Sequence, residues 1–365
     1  MNTHSGHGKQ RGFSLVELMI GMVLGLITTS VVIFIFLSNH NISRTDTSIS
    51  RVQEDARFIQ SYLSKFIRMA GYRGCLSKQS IPVNTTLKMA TTLAYKFTVG
   101  IEGYDNVNSP LPSDVTSLLA ATDPVPVAGT DILILRGPVA ESVSVPQAND
   151  NSYVYAGINA NKMGSSCAIG NRISDLCVGS LIMLSDCKKA KVFQVTDMNV
   201  VSGANATQVL SIGHATGTLS PGNAFGDWSP MINKLDSFGP GSEIYEYQTQ
   251  TFYIGIDPKT AQRSLYVKIN NLPAEVLVDY VRDMQVSYGI DQNMNRQVDS
   301  YAVAASVTNW NSVISVRVEF LLYSADDNVV NAPQVISFNG ANIIMPDNKW
   351  YLPVAVTSTI RNRIS

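Results

Sequence analysis

Charge is what this chain has least of. Asp, Glu, Lys and Arg make up 15% of its 365 residues, against about 25% in an average soluble domain. The deficit is not that of a disordered polymer. Apolar residues reach 45% and aromatics 8%, enough to build a core, whereas disordered chains are poor in both. A net charge of −1 leaves no positive surplus for binding nucleic acid by bulk electrostatics. Histidine and cysteine are scarce too, at four each. No nucleophile-elbow, His-Glu-x-x-His or phosphate-loop pattern occurs, so no enzymatic activity is expected. Of the histidines, His214 in Ile212-Gly213-His214-Ala215 reads as a loop residue. The cysteines, Cys75, Cys167, Cys177 and Cys187, lack the two-to-four-residue separation of a zinc site.

The missing charge is missing from one place. Between Glu17 and Arg44 there is no Asp, Glu, Lys or Arg. Residues 13–37, from Phe13 to Leu37, are almost wholly apolar. As a helix they would extend about 37 Å, more than the roughly 30 Å of a bilayer's hydrocarbon core. Lys9 and Arg11 precede the run, which places the N-terminus on the cytoplasmic side. The run exceeds the roughly 7–15 apolar residues of a secretory signal, and no small-residue cleavage pattern follows it. A membrane span is expected. Glu17 lies inside it, where a carboxylate costs about 2.5–3.5 kcal/mol. It therefore either snorkels to the interface or meets a cation inside an assembly.

Beyond the span, Ile49, Val52, Ala56, Ile59, Leu63, Phe66 and Ala70 alternate at spacings of three and four. That spacing predicts an amphipathic helix with one narrow apolar seam. Gly71 is placed to cap it, with Arg68 in the last turn. One helix over 13–70 is expected, its membrane half over 13–37 and its amphipathic half over 38–70. The seam suits either a two-stranded coiled coil or packing on the chain's own head. Gly21-x-x-x-Gly25 permits close helix approach in the membrane.

Residues 71–365 read as a β-rich head, giving an α+β chain. Apolar runs bounded by turn residues recur at 131–136, 180–184, 191–196 and 243–247. The period-two segment 316–322 places Val316, Val318, Phe320 and Leu322 on one buried face. Stretches 141–171 and 197–242, rich in Asn, Gly, Ser and Pro, read as loops or insertions. The head's size suggests two β-rich subregions. Trp228, Trp310 and Trp350 read as core or interface aromatics rather than a sugar platform. With the head exported, the four cysteines face an oxidising compartment, each bridge contributing about 2–4 kcal/mol. Four cysteines allow three connectivities, and spacing does not choose among them. Asp291, Asn293, Asn295 and Asp299 stand at positions 1, 3, 5 and 9 of a short loop, with the Gln297 carbonyl at position 7. This is the ligand layout of a calcium loop, although position 6 is Arg296 where glycine is needed. A hydrogen-bonded Asx-rich turn explains the same pattern. No cofactor is required, and Ca²⁺ is the one that the residues suggest.

The string Lys9-Gln10-Arg11-Gly12-Phe13-Ser14-Leu15-Val16-Glu17-Leu18 resembles the prepilin motif of type IV pilins and type II secretion pseudopilins. The resemblance implies a leader, residues 1–12, cut between Gly12 and Phe13 by the prepilin peptidase/methyltransferase, and N-methylation of Phe13. It also implies that Glu17 pairs with the N-terminal ammonium of a neighbouring subunit, setting axial register. Further strings are similar to the PilW branch of minor pilins: Ile67 to Cys75, Leu184 to Cys187, Tyr288 to Asp291, Val316 to Val318 and Thr359 to Arg363. Since Cys75 and Cys187 lie in two of them, the resemblance implies a Cys75–Cys187 bridge and leaves Cys167–Cys177 as a local one. It further implies a structural protein held in the inner membrane with its head in the periplasm, and later in the extracellular pilus. Its partners would be the major pilin, other minor pilins and a tip adhesin, in filament assembly, twitching motility, adhesion or DNA uptake. A GspJ-like pseudopilin of type II secretion and a non-polymerising membrane-anchored binding protein are the competing readings.

Overall fold

The computed structural model describes residues 14–74, 82–164, 167–203 and 207–364. A single helix, Leu15–Met69, runs 55 residues, about 82 Å at 1.5 Å per residue. Every described side chain from Ser14 to Arg44 is exposed. From Ser48 onward one face is buried, through Val52, Ala56, Ile59, Leu63, Ile67 and Ala70. These contacts correct the expected seam. Ser48 and Ile67 take the places given to Ile49 and Phe66, which are only half-buried. The buried positions step by four, four and three, or about 3.67 residues per turn, whereas a left-handed coiled coil needs 3.5. A straight helix laid on a sheet keeps its own period, so the seam serves the chain's own head.

The helix ends where the sequence places the stop. Ala70 donates to the Ile67 carbonyl at 3.2 Å, and Gly71 stands in the left-handed region at φ 70°. A Cβ there would meet the Gly100 backbone at 3.3 Å, so close packing and backbone conformation both favour glycine.

The packed half lies against an antiparallel four-stranded sheet, Ser300–Ala302, Val281–Ile290, Val313–Tyr323 and Tyr351–Thr359, in that spatial order. Val316, Val318, Phe320 and Leu322 are buried and join the core that the helix covers. Arg317, between them, is exposed.

A second, nine-stranded sheet is organised by one long strand, Glu243–Ile256. Its first residues pair with Leu181–Ser185, its middle with Ile132–Pro138 and its end with Arg263–Ile269. Strand Ile132–Pro138 also touches the helix, so the long strand ties the helix-side core to the rest of the head.

A three-stranded sheet, Asp197–Ser202, Gln208–Gly213 and Tyr153–Ala156, completes a separate core around Trp228, Phe193 and Ile244. One expectation is corrected here. The stretches 141–171 and 197–242, read as loops or insertions, are not continuous loops, because Val154 with Ala156 and Leu210 with Ile212 alternate into this core. Their Asn- and Ser-rich neighbours mask that signal. His214 follows the strand Gln208–Gly213 outside any strand, as a loop residue, but it is fully buried and stacked on Trp228, with ring centroids 3.9 Å apart.

Candidate assembly site and helix–head junction

The bare half of the helix is built for surroundings other than water. Its most apolar window has a mean hydropathy of 2.6 and none of it is buried by the chain itself. Its polar groups are turned inward. Thr28, Thr29 and Ser30 donate to main-chain carbonyls three or four residues earlier, at 2.7–3.0 Å, which satisfies hydroxyls where no water is available. Gly21 and Gly25 have no atom within 4 Å of an added Cβ, so that face is open to a partner helix. Glu17 is the single charged side chain among residues 14–43, exposed in the first turn. There it lies close to the positive end of the helix dipole. Gly12 and Phe13 lie outside the described residues.

The helix joins the head through a network around its C-terminal end. The Gly71 N–H donates to the Arg136 carbonyl at 2.7 Å. The Asn362 amide donates to the Gly71 carbonyl at 2.7 Å. Arg136 is fully buried. Its guanidinium pairs with Glu102 at 2.8 Å and donates to the Leu93 and Val99 carbonyls. Burial pulls the Arg136 pKa down, and Glu102 opposes that. Arg363 donates to the Trp310 and Val313 carbonyls; burial, reinforced by the nearby Arg73 charge, lowers its pKa to about 10. Ser185 donates to the Arg73 carbonyl at 2.5 Å. Segments distant in sequence, around residues 71, 136, 185 and 362, thus meet at one place. The PilW-like strings containing Gly71, Ser185 and Asn362 are among them.

At the opposite end of the packed helix, Arg44 reaches Asp326 at 2.9 Å and Ser48 bonds the same carboxylate. Both bonds lower the Asp326 pKa. They mark where the helix leaves the head.

Among the cysteines, Cys167 and Cys177 form a disulfide with Cα atoms 5.7 Å apart. Cys187 is disulfide-bonded, and Cys75 lies outside the described residues. In the 291–299 loop, the Asp291 carboxylate accepts the N–H groups of Asn295 and Arg296. The Asp299 carboxylate accepts those of Gln292 and Asn293. The Asn293 and Asn295 side-chain oxygens accept from Asn295 and Gln297. The path fits a calcium loop only in part. Its residue 6, Arg296, holds the left-handed conformation at φ 68°, and the oxygens of Asp291, Asn293, Asn295 and Asp299 accept main-chain N–H groups across the turn.

A bare apolar helix continuous with a helix packed on a β-rich head fits a membrane-anchored pilin. Residues 7–33, which include Gly12, Phe13 and Glu17, match the family described as Prokaryotic N-terminal methylation motif. Residues 251–363 match the family described as Type IV Pilus-assembly protein W. No curated protein and no solved structure matches the chain. The two family matches are those of a PilW-like type IV pilin and support a pilus-associated minor pilin. Domains of this kind are structural. The second match covers the helix-packed sheet and, of the junction, only the side contributed by Trp310, Val313, Asn362 and Arg363.

Proposed function

We propose that this chain is a minor pilin that primes type IV pilus assembly and sits in a tip complex with other minor pilins, its head exposed first in the periplasm and then on the extracellular pilus. The observation that carries the reading is the bare helix. About 43 Å of apolar helix, from Leu15 to Ser43, has no described side chain buried by its own chain. A membrane accepts that surface before assembly, and the helices of neighbouring pilins accept it afterwards. In the second setting Glu17 gains a counter-charge if a neighbour's processed N-terminal amine lies beside it, which offsets the carboxylate's desolvation cost. A head this large favours the filament tip over the tightly stacked shaft. Prepilin peptidase, the major pilin and a tip adhesin are the partners this role requires, and motility, adhesion or DNA uptake its outputs.

The test is complementation of a deletion strain. Substitution of Gly12 should leave an uncleaved precursor on intact mass measurement, and Glu17→Ala should give a processed chain that fails to restore pili. Full piliation with both variants would refute the reading and favour a non-polymerising membrane-anchored binding protein. Restored piliation accompanied by lost protein secretion would favour a type II secretion pseudopilin.

A further inference from the structure

A cleft of about 470 Å³ opens beside the helix–head junction, within the roughly 300–1,000 Å³ of small-ligand pockets. Its lining includes two aromatic side chains, Trp310 and Tyr104, and three short polar ones, Asp105, Asn106 and Asn108. Both aromatics are fixed. Trp310 stands edge-to-face on the buried Tyr288 ring at 4.9 Å, and its carbonyl accepts from Arg363 at 2.6 Å. The Tyr104 hydroxyl donates to Asp114. Gly103 also lines the cleft. A Cβ there would lie 1.8 Å from the Tyr288 hydroxyl, so glycine alone fits at this point. That hydroxyl is fully buried and makes no hydrogen bond among the described residues.

The polar groups are available. Asn106 is exposed and its main chain is pinned by an N–H bond to Asp131 at 2.8 Å. Asn108 gives its amide N–H to the Asn106 carbonyl at 2.9 Å, which leaves its side-chain oxygen for a ligand. Asp105 makes no hydrogen bond or ion pair with another described residue. The remaining carboxylates near the cleft are committed: Glu102 to Lys96 at 2.5 Å and Arg136 at 2.8 Å, Asp114 to Tyr104.

We infer that this cleft binds a saccharide. A pyranose offers one face of C–H groups to an aromatic ring and a rim of hydroxyls that both donate and accept. Trp310 and Tyr104 match the first property. Asp105 and the Asn108 oxygen accept hydroxyl protons, while the Asn106 amide can donate. A cationic amine would use the carboxylate and the rings but would leave the amide donor without a partner. The inference does not rest on assembly into a pilus.

The experiment is titration calorimetry and saturation-transfer NMR on the full chain, held in a detergent without a sugar headgroup. The probes are methyl glycosides of glucose, galactose, mannose and N-acetylglucosamine, with lysine methyl ester as the cationic comparison. At least one glycoside should bind, with saturation transferred to its ring C–H groups. Asp105→Ala, at a half-buried position, and Asn108→Ala, at an exposed one, should each weaken binding by about tenfold or more, the loss expected for a hydrogen bond to a ligand. Thermal unfolding confirms that both variants fold. Absence of binding by every glycoside, binding of lysine methyl ester in their place, or glycoside binding that neither variant weakens would each overturn the inference.

Discussion

Arg136→Met removes the guanidinium at the junction while keeping an unbranched stem of similar length. In the native chain that guanidinium supplies Glu102 and the carbonyls of Leu93 and Val99, all in a place water does not reach. Breaking one side of a buried ion pair costs about 3–5 kcal/mol, because the other charge is left behind. Here Lys96 also reaches Glu102 at 2.5 Å, from a side chain that is 37% exposed. It holds part of the stranded charge, so the lower end, about 3 kcal/mol, is the expected value. In a domain of this size each kcal/mol moves the midpoint by about 2–4 °C, giving a drop of about 6–12 °C.

Thermal unfolding of the detergent-solubilised chain measures that drop, and hydrogen exchange at Gly71 gives a local readout. The Gly71 N–H is held by the carbonyl of the same residue, Arg136, so its protection should fall with the substitution. A double-mutant cycle then isolates the charge. Adding Glu102→Gln should recover part of the loss, since no carboxylate remains stranded. A midpoint unchanged by Arg136→Met, or a double variant less stable than the sum of the singles, would refute the claim that this pair holds the junction.

The remaining predictions concern the cores and loops away from the membrane. Burial lowers the His214 pKa to about 4, with Lys191 adding to the shift and Asp150 opposing it. The unfolded chain therefore takes up the proton first. Stability is complete above about pH 6.5 and declines as pH falls towards 4, by about 3 kcal/mol in total. His214→Phe should flatten that decline in urea unfolding. Asp131 contributes with the opposite sign, because burial raises its pKa to about 6: its stabilisation is full below about pH 4 and lost as pH rises through 6. Comparing wild type with the variant cancels it. Replacing Cys167 and Cys177 by Ser opens a bridge of sequence separation 10 and should cost about 2–3 kcal/mol, read as a lower midpoint under non-reducing conditions, where the bridge at Cys187 stays closed. Calcium at about 1 mM, the range of weak extracellular sites, should leave the midpoint unchanged, since both Asp291 and Asp299 already accept main-chain N–H groups. A rise in midpoint that Asp299→Asn abolishes would show that a cation competes for those oxygens.

What the sequence reveals about this chain depends on how local each signal is. The span is legible because one helix carries it without help, and the absence of charge over residues 18–43 has few explanations. Strand Val313–Tyr323 is legible because alternation is a neighbour-to-neighbour property. The seam is nearly so. Ile49 and Phe66 are apolar residues beside the buried line, and a 3.5-residue period selects them where a straight helix selects Ser48 and Ile67. Arg136 is illegible. At the end of Asp131-Ile132-Leu133-Ile134-Leu135-Arg136 it looks like a charge that terminates a strand, and its carboxylate partner is 34 positions away at Glu102. The surroundings of His214 and Trp310 are illegible for the same reason. Their immediate neighbours are Gly, Ala and Asn, while the groups that give them meaning, Trp228 and Tyr288, come from other segments.

This difference in legibility bears on how the subunit works. The bare helix needs no tertiary context, because no described side chain on it is buried by its own chain, and so its design is written in consecutive residues. The junction has to convert that generic rod into a defined direction for one particular head. Gly71 is bonded on both sides, its N–H to Arg136 and its carbonyl to Asn362, and at φ 70° it turns the chain away from the helix axis. Arg44 and Ser48 fix the other end of the packed half on Asp326. Two attachment points about 35 Å apart along the helix leave the head little freedom to tilt. In the proposed filament those bonds would fix the direction in which each head faces relative to its own helix. A variant that loosens the junction should therefore lower assembly before it unfolds the head, and Arg136→Met, assayed for piliation at a temperature where the head is still folded, separates the two.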